Sequence, residues 1–388
     1  MGRSPDKPFT IGYLGWLGHE NLGDDLGPVL FERCLAQHYP HLHERARIEY
    51  DLDLLEQADA TVAFIGTLLT PTDYNDHWMQ RFRRASLRGP LVSLGLGANP
   101  AKWMRWPTPQ AYNQRLTRWW DFLGVRGRQT ADALGLNEDR ISGDSVFALE
   151  WASGVAPRES DGKPWVAVNA GEVTAELRTP QGLPLTPMIA AACAELVREL
   201  NFAVFSMGPR DDQAVAHIAG VIRDAGGAPR VLFQRDVLKL AQELREVSFG
   251  ITTKCHASGL LYAMGIPTVN IPYKPKCADL ATMVTDERFI LEWNALTQRA
   301  IVDRARDLVR AMPEVRAALA PAVARQRSRW HDMFVQGMAT VQAAYEGRYV
   351  NRKSRVHRRQ AISKLWAYPQ AVLRRLGRAG RARLVSSP

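Results

Sequence analysis

Twice along this chain, short and nearly unbroken apolar runs alternate with longer stretches of helical spacing. The first series holds "FTIGYLG" (9–15), "ATVAFIG" (60–66), "PLVSLGLG" (90–97) and "FLGVRG" (122–127). The second holds "WVAVNAG" (165–171), "FAVFSMG" (202–208), "VSFGIT" (247–252) and "PTVNIP" (267–272). Segments such as "GPVLFERCLAQHY", "HWMQRFRRASL" and "PMIAAACAELVREL" separate them, with apolar residues spaced as on one face of a helix. Strands that are apolar on both faces must be covered on both faces, and parallel strands need helical crossovers. The pattern therefore predicts an α/β fold of two Rossmann-like, doubly wound domains. The first spans residues 1–152 and a Pro/Gly/Ser- and charge-rich linker covers 153–164. The second spans 165–346 and ends in closing helices that Pro313 and Pro321 should break or kink. A tail follows at 347–388.

The formal net charge of +10 belongs to that tail. Residues 351–388 hold 11 Lys/Arg and no acid, leaving 39 bases against 40 acids elsewhere. A nucleic-acid-binding core would need a basic face on the folded part, so nucleic acid is not an expected partner. No apolar run approaches the roughly 20 residues that span a bilayer, and "MGRSPDKPFT" has no signal-peptide character. Cys34, Cys193, Cys255 and Cys277 are scattered without a CxxC pair, as expected for a reduced, cytoplasmic chain.

Ligands of open parallel sheets bind beyond the carboxyl ends of the strands. Four stretches occupy such ends. In "GYLGWLGHENLGDDLGPVLFERCL" (12–35) a Gly-rich loop leads into a helix start suited to an anion. It matches neither GxGxxG nor a P-loop. Asp24 and Asp25 are either a base or hydroxyl acceptor, or plain first-turn acids that suit the helix dipole. "SLGLGANP" (93–100) is a second glycine-rich strand end. In the third, "VRGRQTADALGL" with "ISGDSVFAL", Arg126 could fork onto a carboxylate or phosphate or form an interdomain salt bridge. Asp144 could equally cap a turn.

The fourth stretch, "TTKCHASGLLYAMGIPTVNIPYKPK" (252–276), gathers Lys254, His256 and Lys276 around a small-residue helix. Strand alternation would put Lys254 and His256 on one face, with Cys255 opposite. Such a set favours a small, multiply charged anion and supplies a group that moves a proton near neutral pH. Zinc is not expected at Cys255 and Cys277, because no spaced set of four ligands exists. No metal and no cofactor is expected.

In order and spacing these stretches resemble three landmarks of the polysaccharide pyruvyltransferase family: G-x-x-G…N-x-G-D, V-R-G-x-x-T-x-x-x-L-G…G-D, and R-L-H…A-x-G-I-P…Y-x-x-K. The likeness runs over roughly residues 10 to 345. It implies a GT-B-like arrangement of the two domains around a cleft. It also implies transfer of the enolpyruvyl group of phosphoenolpyruvate to two sugar hydroxyls, forming a pyruvate ketal and releasing phosphate. By position, His256 and Asp24 would be catalytic, with Lys254, Lys276 and Arg126 binding phosphoenolpyruvate as co-substrate. Asn21, Gly23 and Asp25 would lie on the acceptor side. "KCH" replaces the family's R-L-H here, so Lys254 keeps the charge but lacks the bidentate fork.

The acceptor implied is a saccharide of an exopolysaccharide or its precursor, on a lipid carrier in one version. The basic, Trp- and Leu-containing tail then suggests peripheral attachment to the inner face of the cytoplasmic membrane, each cation adding about 1 kcal/mol near anionic lipid. A solvated tail is the plainer alternative. Two other functions stay open: a GT-B-type glycosyltransferase using a nucleotide sugar, and a catalytically silent sugar- or membrane-binding relative.

Overall fold

In the computed structural model two five-stranded, wholly parallel sheets are each wrapped by helices. The structure describes residues 8–15, 21–51, 53–64, 73–97, 118–149, 162–171, 178–179 and 182–351. Gly18, most of the 153–164 linker and the tail beyond 351 lie outside them.

The first sheet runs β2-β1-β3-β4-β5, formed by β1 (Phe9–Leu14), β2 (Ala46–Glu49), β3 (Ala60–Phe64), β4 (Leu91–Leu96) and β5 (Phe122–Val125). Every residue of β3, β4 and β5 is buried, which explains their unbroken apolar runs. Its helices are α1 (Leu22–His38), α2 (Pro40–Arg45), α3 (Asp73–Arg88) and α4 (Arg128–Leu134).

The second sheet runs β10-β9-β6-β7-β8, from β6 (Trp165–Asn169), β7 (Asn201–Phe205), β8 (Arg230–Leu232), β9 (Phe249–Thr252) and β10 (Thr268–Asn270). With it come α5 (Leu185–Glu195), α6 (Asp212–Asp224), α7 (Val237–Leu244), α8 (Cys255–Ala263), α9 (Pro275–Thr282) and α10 (Gln298–Arg310).

Strand order reverses between β1 and β3 in one sheet and between β6 and β9 in the other. Those reversals open a crevice at the carboxyl ends of the strands. In both sheets the helix that starts there carries residues singled out above: α1 after β1, and α8 after β9.

The last helix, α11 (Met312–Tyr345), departs from expectation in two ways. It runs unbroken through Pro321, whereas at Pro313 the chain breaks as expected, α10 ending at Arg310 and α11 starting with Pro313 in its first turn, where a missing N–H costs no bond. It also lies on the first sheet rather than the second. Trp330 meets Phe64 edge-on at 5.6 Å and stacks on Phe334 at 5.3 Å. A side chain at Gly337 would collide with Leu94 and Val92. The Tyr39 hydroxyl donates to the Val335 carbonyl at 3.0 Å.

One apolar core consequently spans both units. Val62, Phe64 and Val92 of the first sheet join Ala167, Ala203 and Phe205 of the second through Leu261, Tyr262, Leu280 and Trp330. Two further clusters fill the outer faces of each sheet. No helix among the described residues is long and apolar enough to cross a membrane.

Trp330 is 1% exposed, so Trp330→Ala should lower the unfolding free energy by about 3–5 kcal/mol in chemical denaturation. The neighbouring Arg329 is exposed and pairs with the exposed Glu138, and Arg329→Ala should change it by less than about 1 kcal/mol.

Candidate active site

Two helix starts meet where the sheets face each other. Asn21 caps α1, its Oδ1 accepting from Gly23 N at 3.2 Å and its Nδ2 donating to Asp24 Oδ2 at 2.5 Å. Asp24 is buried in the first turn and Asp25 is half-buried. The first amide of the helix, Leu22 N, donates across to the Met207 carbonyl of the second unit at 2.9 Å. A helix-start N–H that would otherwise face solvent is thus used to join the units.

His256 lies against this point. It is 7% exposed, and a Cβ on Gly23 would stand 2.0 Å from its Nδ1. The ring is therefore packed flat on backbone, with room only because residue 23 has no side chain. Its Nε2 is buried without a hydrogen-bond partner among the described residues. Burial holds the His256 pKa below its ordinary value. Asp24 and Asp144 oppose that shift, and Lys276 and Arg126 reinforce it. The imidazole is neutral near pH 7 in the free protein.

Arg126 follows β5, is 2% exposed and lies along Gly97 at the end of β4, where a Cβ would come within 2.4 Å of Nη2. Gly95, two residues earlier, has φ +94° at a register shift between β4 and β5, a conformation that favours glycine. Asp144 caps the 3-10 turn Ser145–Ala148 by accepting from Val146 N at 3.0 Å, and its other oxygen stands 3.8 Å from Arg126 Nη1. The capping role considered for Asp144 is realised, whereas the acid that faces Arg126 here belongs to its own unit and does not make the interdomain salt bridge considered for it. Burial works against the guanidinium's charge, and Cys255, Asp144, Asp279 and Cys277 outweigh it, so the Arg126 pKa is raised.

Lys254 does not leave the strand alongside His256. β9 stops at Thr252, Lys254 is the N-cap of α8, and His256 is its second residue. Helical rather than strand geometry separates the two side chains. The Lys254 stem lies over Gly171, and its ammonium meets Asp211 Oδ1 at 2.5 Å. Asp211 is fully buried, and its other oxygen accepts from Met207 N at 3.0 Å. The charges acting on His256 come instead from Asp24, Asp144, Lys276 and Arg126.

Lys276 occupies the first turn of α9, half-buried, and makes no ion pair among the described residues. Cys255, in helix rather than strand, directs its thiol at the Lys276 carbonyl, 3.6 Å away. The Cys255 thiol and the nearby cations hold the Cys277 thiol below its usual range. No group of three or more His, Cys, Asp or Glu suited to a metal occurs among the described residues.

Asn21, Gly23, Asp24, His256, Arg126 and Lys276 thus share one neighbourhood, whereas Lys254 is engaged by Asp211. Two carboxylates were missed by sequence reasoning. Asp211 follows the "SMG" end of β7, a position at which an acid was readable. Asp279 stands three residues after Lys276 on the same helix face. The chemistry available is an imidazole with an open nitrogen, a buried carboxylate across from it, and two cations beside it.

Titration of the ligand-free protein by NMR should place the His256 pKa below 6.5, and Asp24→Asn should lower it further. A folded-state pKa below the unfolded one means that the unfolded chain takes the proton first. Stability is then present above about pH 6.5 and lost as pH falls from there through the folded value. The loss should shrink in His256→Gln, measured by urea midpoints. Asp211→Ala leaves the Met207 amide and the Lys254 ammonium without their acceptor and should cost about 2–4 kcal/mol in the same assay.

No curated protein matches the sequence. Among solved structures, the chain is similar to the Anabaena protein HepE in complex with UDP and glucose. That match has a TM-score of 0.51 and 9% identity and covers 87% of this chain and 100% of that one. It is also similar to a Listeria monocytogenes protein assigned as a UDP-N-acetylglucosamine 2-epimerase. Here the TM-score is 0.50 at 12% identity, covering 82% of this chain and 94% of that one. At such identities the shared property is the fold, two Rossmann-like domains of GT-B type. The sequence pattern described as polysaccharide pyruvyl transferase matches residues 21–275, from the N-cap of α1 to the start of α9. The chain belongs to the polysaccharide pyruvyl transferase family.

Proposed function

We propose that the protein transfers the enolpyruvyl group of phosphoenolpyruvate to two hydroxyls of a saccharide, forming a pyruvate ketal and releasing phosphate. The observation that carries this is the Nε2 of His256, unpartnered among the described residues and buried at the unit boundary with Asp24, Arg126 and Lys276 acting on it. A donor with a phosphate and a carboxylate needs several cations, and its methylene carbon needs a proton.

In this reading His256 delivers a proton to the methylene carbon, and the former double-bond carbon becomes an oxocarbenium-like centre. One sugar hydroxyl attacks that centre and loses its proton with help from Asp24. The C–O bond to phosphate then breaks, phosphate departs with the bridging oxygen, and the second hydroxyl attacks and loses its proton. Arg126 and Lys276 hold the anion and offset charge on the departing phosphate. Lys254 is the weaker member of the set, because Asp211 already meets its charge.

The neutral resting state of His256 fits this sequence. The arriving donor brings the negative charge that raises the imidazole pKa, so the acid is charged when its substrate is present. Asn21, Gly23 and Asp25 stand on the first unit, the acceptor side of the cleft.

With lipid-linked and model glycosides as acceptors, the purified protein should release phosphate from phosphoenolpyruvate and add the mass of the ketal. His256→Ala should slow turnover by roughly 100-fold or more, the usual worth of a general acid. Retained turnover with an unchanged pH profile would remove His256 from that role. Turnover with UDP- or GDP-sugars in place of phosphoenolpyruvate would reject the donor.

A further inference from the structure

Helix α4 receives its N-terminal cap from the other unit. It begins after Gly127, which has no side chain to offer the open N–H groups. Asp279 of α9, 150 residues further along the chain, supplies the acceptor: its Oδ1 takes Gln129 N at 3.2 Å. Burial pushes the Asp279 pKa above the usual carboxylate value, and the Gln129 N–H, Arg126 and the Arg128 backbone work against that rise. A Cβ on Gly127 would stand 2.1 Å from Asp279 Oδ2, so the carboxyl lies flush on that glycine. Asp279 is 6% exposed.

Two cations are tied to this contact from opposite sides. Arg126 directly precedes Gly127, and the Asp279 charge acts on it. Lys276 precedes Asp279 by three residues, one helical turn, and shares its face. A carboxylate at a helix start also suits the helix dipole, which favours Asp over a neutral residue.

We propose that Asp279 is a positioning residue that sets Arg126 of the first unit against Lys276 of the second. The anion site is then assembled only when the units are pressed together. This rests on the reading above in one respect, that Arg126 and Lys276 hold the donor.

The test uses the full chain with Asp279→Asn, Asp279→Ala and Gly127→Ala. Asp132→Ala, an exposed acid of α4, serves as the control. Hydrogen exchange at the Gln129 amide reads the contact, and the KM for phosphoenolpyruvate against kcat reads its consequence. Asp279→Ala and Gly127→Ala should each speed exchange about tenfold and raise KM about tenfold, with kcat within about threefold of wild type. Asp279→Asn keeps an acceptor oxygen and should fall between them and wild type, while Asp132→Ala should match wild type. Where Asp279→Ala fails to fold, Asp279→Asn and Gly127→Ala carry the comparison.

Unchanged exchange, or faster exchange with unchanged KM, overturns the proposal. A wild-type protein without phosphoenolpyruvate turnover rejects the donor reading alone. Positioning is then judged by calorimetric binding of inorganic phosphate, where about a tenfold loss in the variants supports it and equal affinity overturns it. Wild type that neither turns over phosphoenolpyruvate nor binds phosphate overturns both.

Discussion

The site exists because two helix starts from different sheets approach with nothing but backbone between them. The His256 ring rests on Gly23, and Leu22 N–H reaches the Met207 carbonyl. Everything else about the imidazole follows from that approach. Its burial lowers its pKa, its Nε2 lies away from water, and charges from both units bear on it. The approach is held by an apolar core that crosses the boundary, so the two units meet through a surface like a domain interior. Charged groups could not hold the units this closely without unpaired cost.

Four glycines, three of them in the singled-out stretches and Gly171 at the end of the "WVAVNAG" run, have a common role that their spacing does not reveal. Gly23 sits under His256, Gly97 under Arg126, Gly127 under Asp279 and Gly171 under Lys254. From sequence, glycine at a strand end reads as a turn or as room for a ligand's phosphate. In the folded chain each is a seat for a charged or titratable side chain from another element. A local pattern identifies the need for space but not what will fill it, because the occupant comes from up to 233 residues away, as His256 does for Gly23.

The buried strands were legible because both faces are apolar. The edge strands β2 ("ARIE") and β8 ("RVL") were not: they are short, charged and partly exposed, as edges are. The start of α8 was misplaced by two residues because "TTKCH" has no Ser, Asp or Asn at the cap to mark it, and that shift redirected Lys254. Asp211 and Asp279 were passed over for a related reason. Asp211, just before a first helical turn, looks like an ordinary partner of the dipole, Asp279, past the first turn of α9, looks like any helix acid, and their partners, Lys254 and the Gln129 amide of α4, lie in distant segments. Arg126 and His256 were readable because several unusual residue types cluster around them in one short stretch.

The path of α11 has a consequence for how the molecule is made. The helix that carries Trp330 and Phe334 is the last among the described residues, yet it covers strands built from the first hundred residues. During synthesis the early sheet emerges long before its lid, with Phe64, Val92 and Leu94 uncovered. A growing chain of this kind depends on other surfaces, or on chaperones, until residue 345 has left the ribosome.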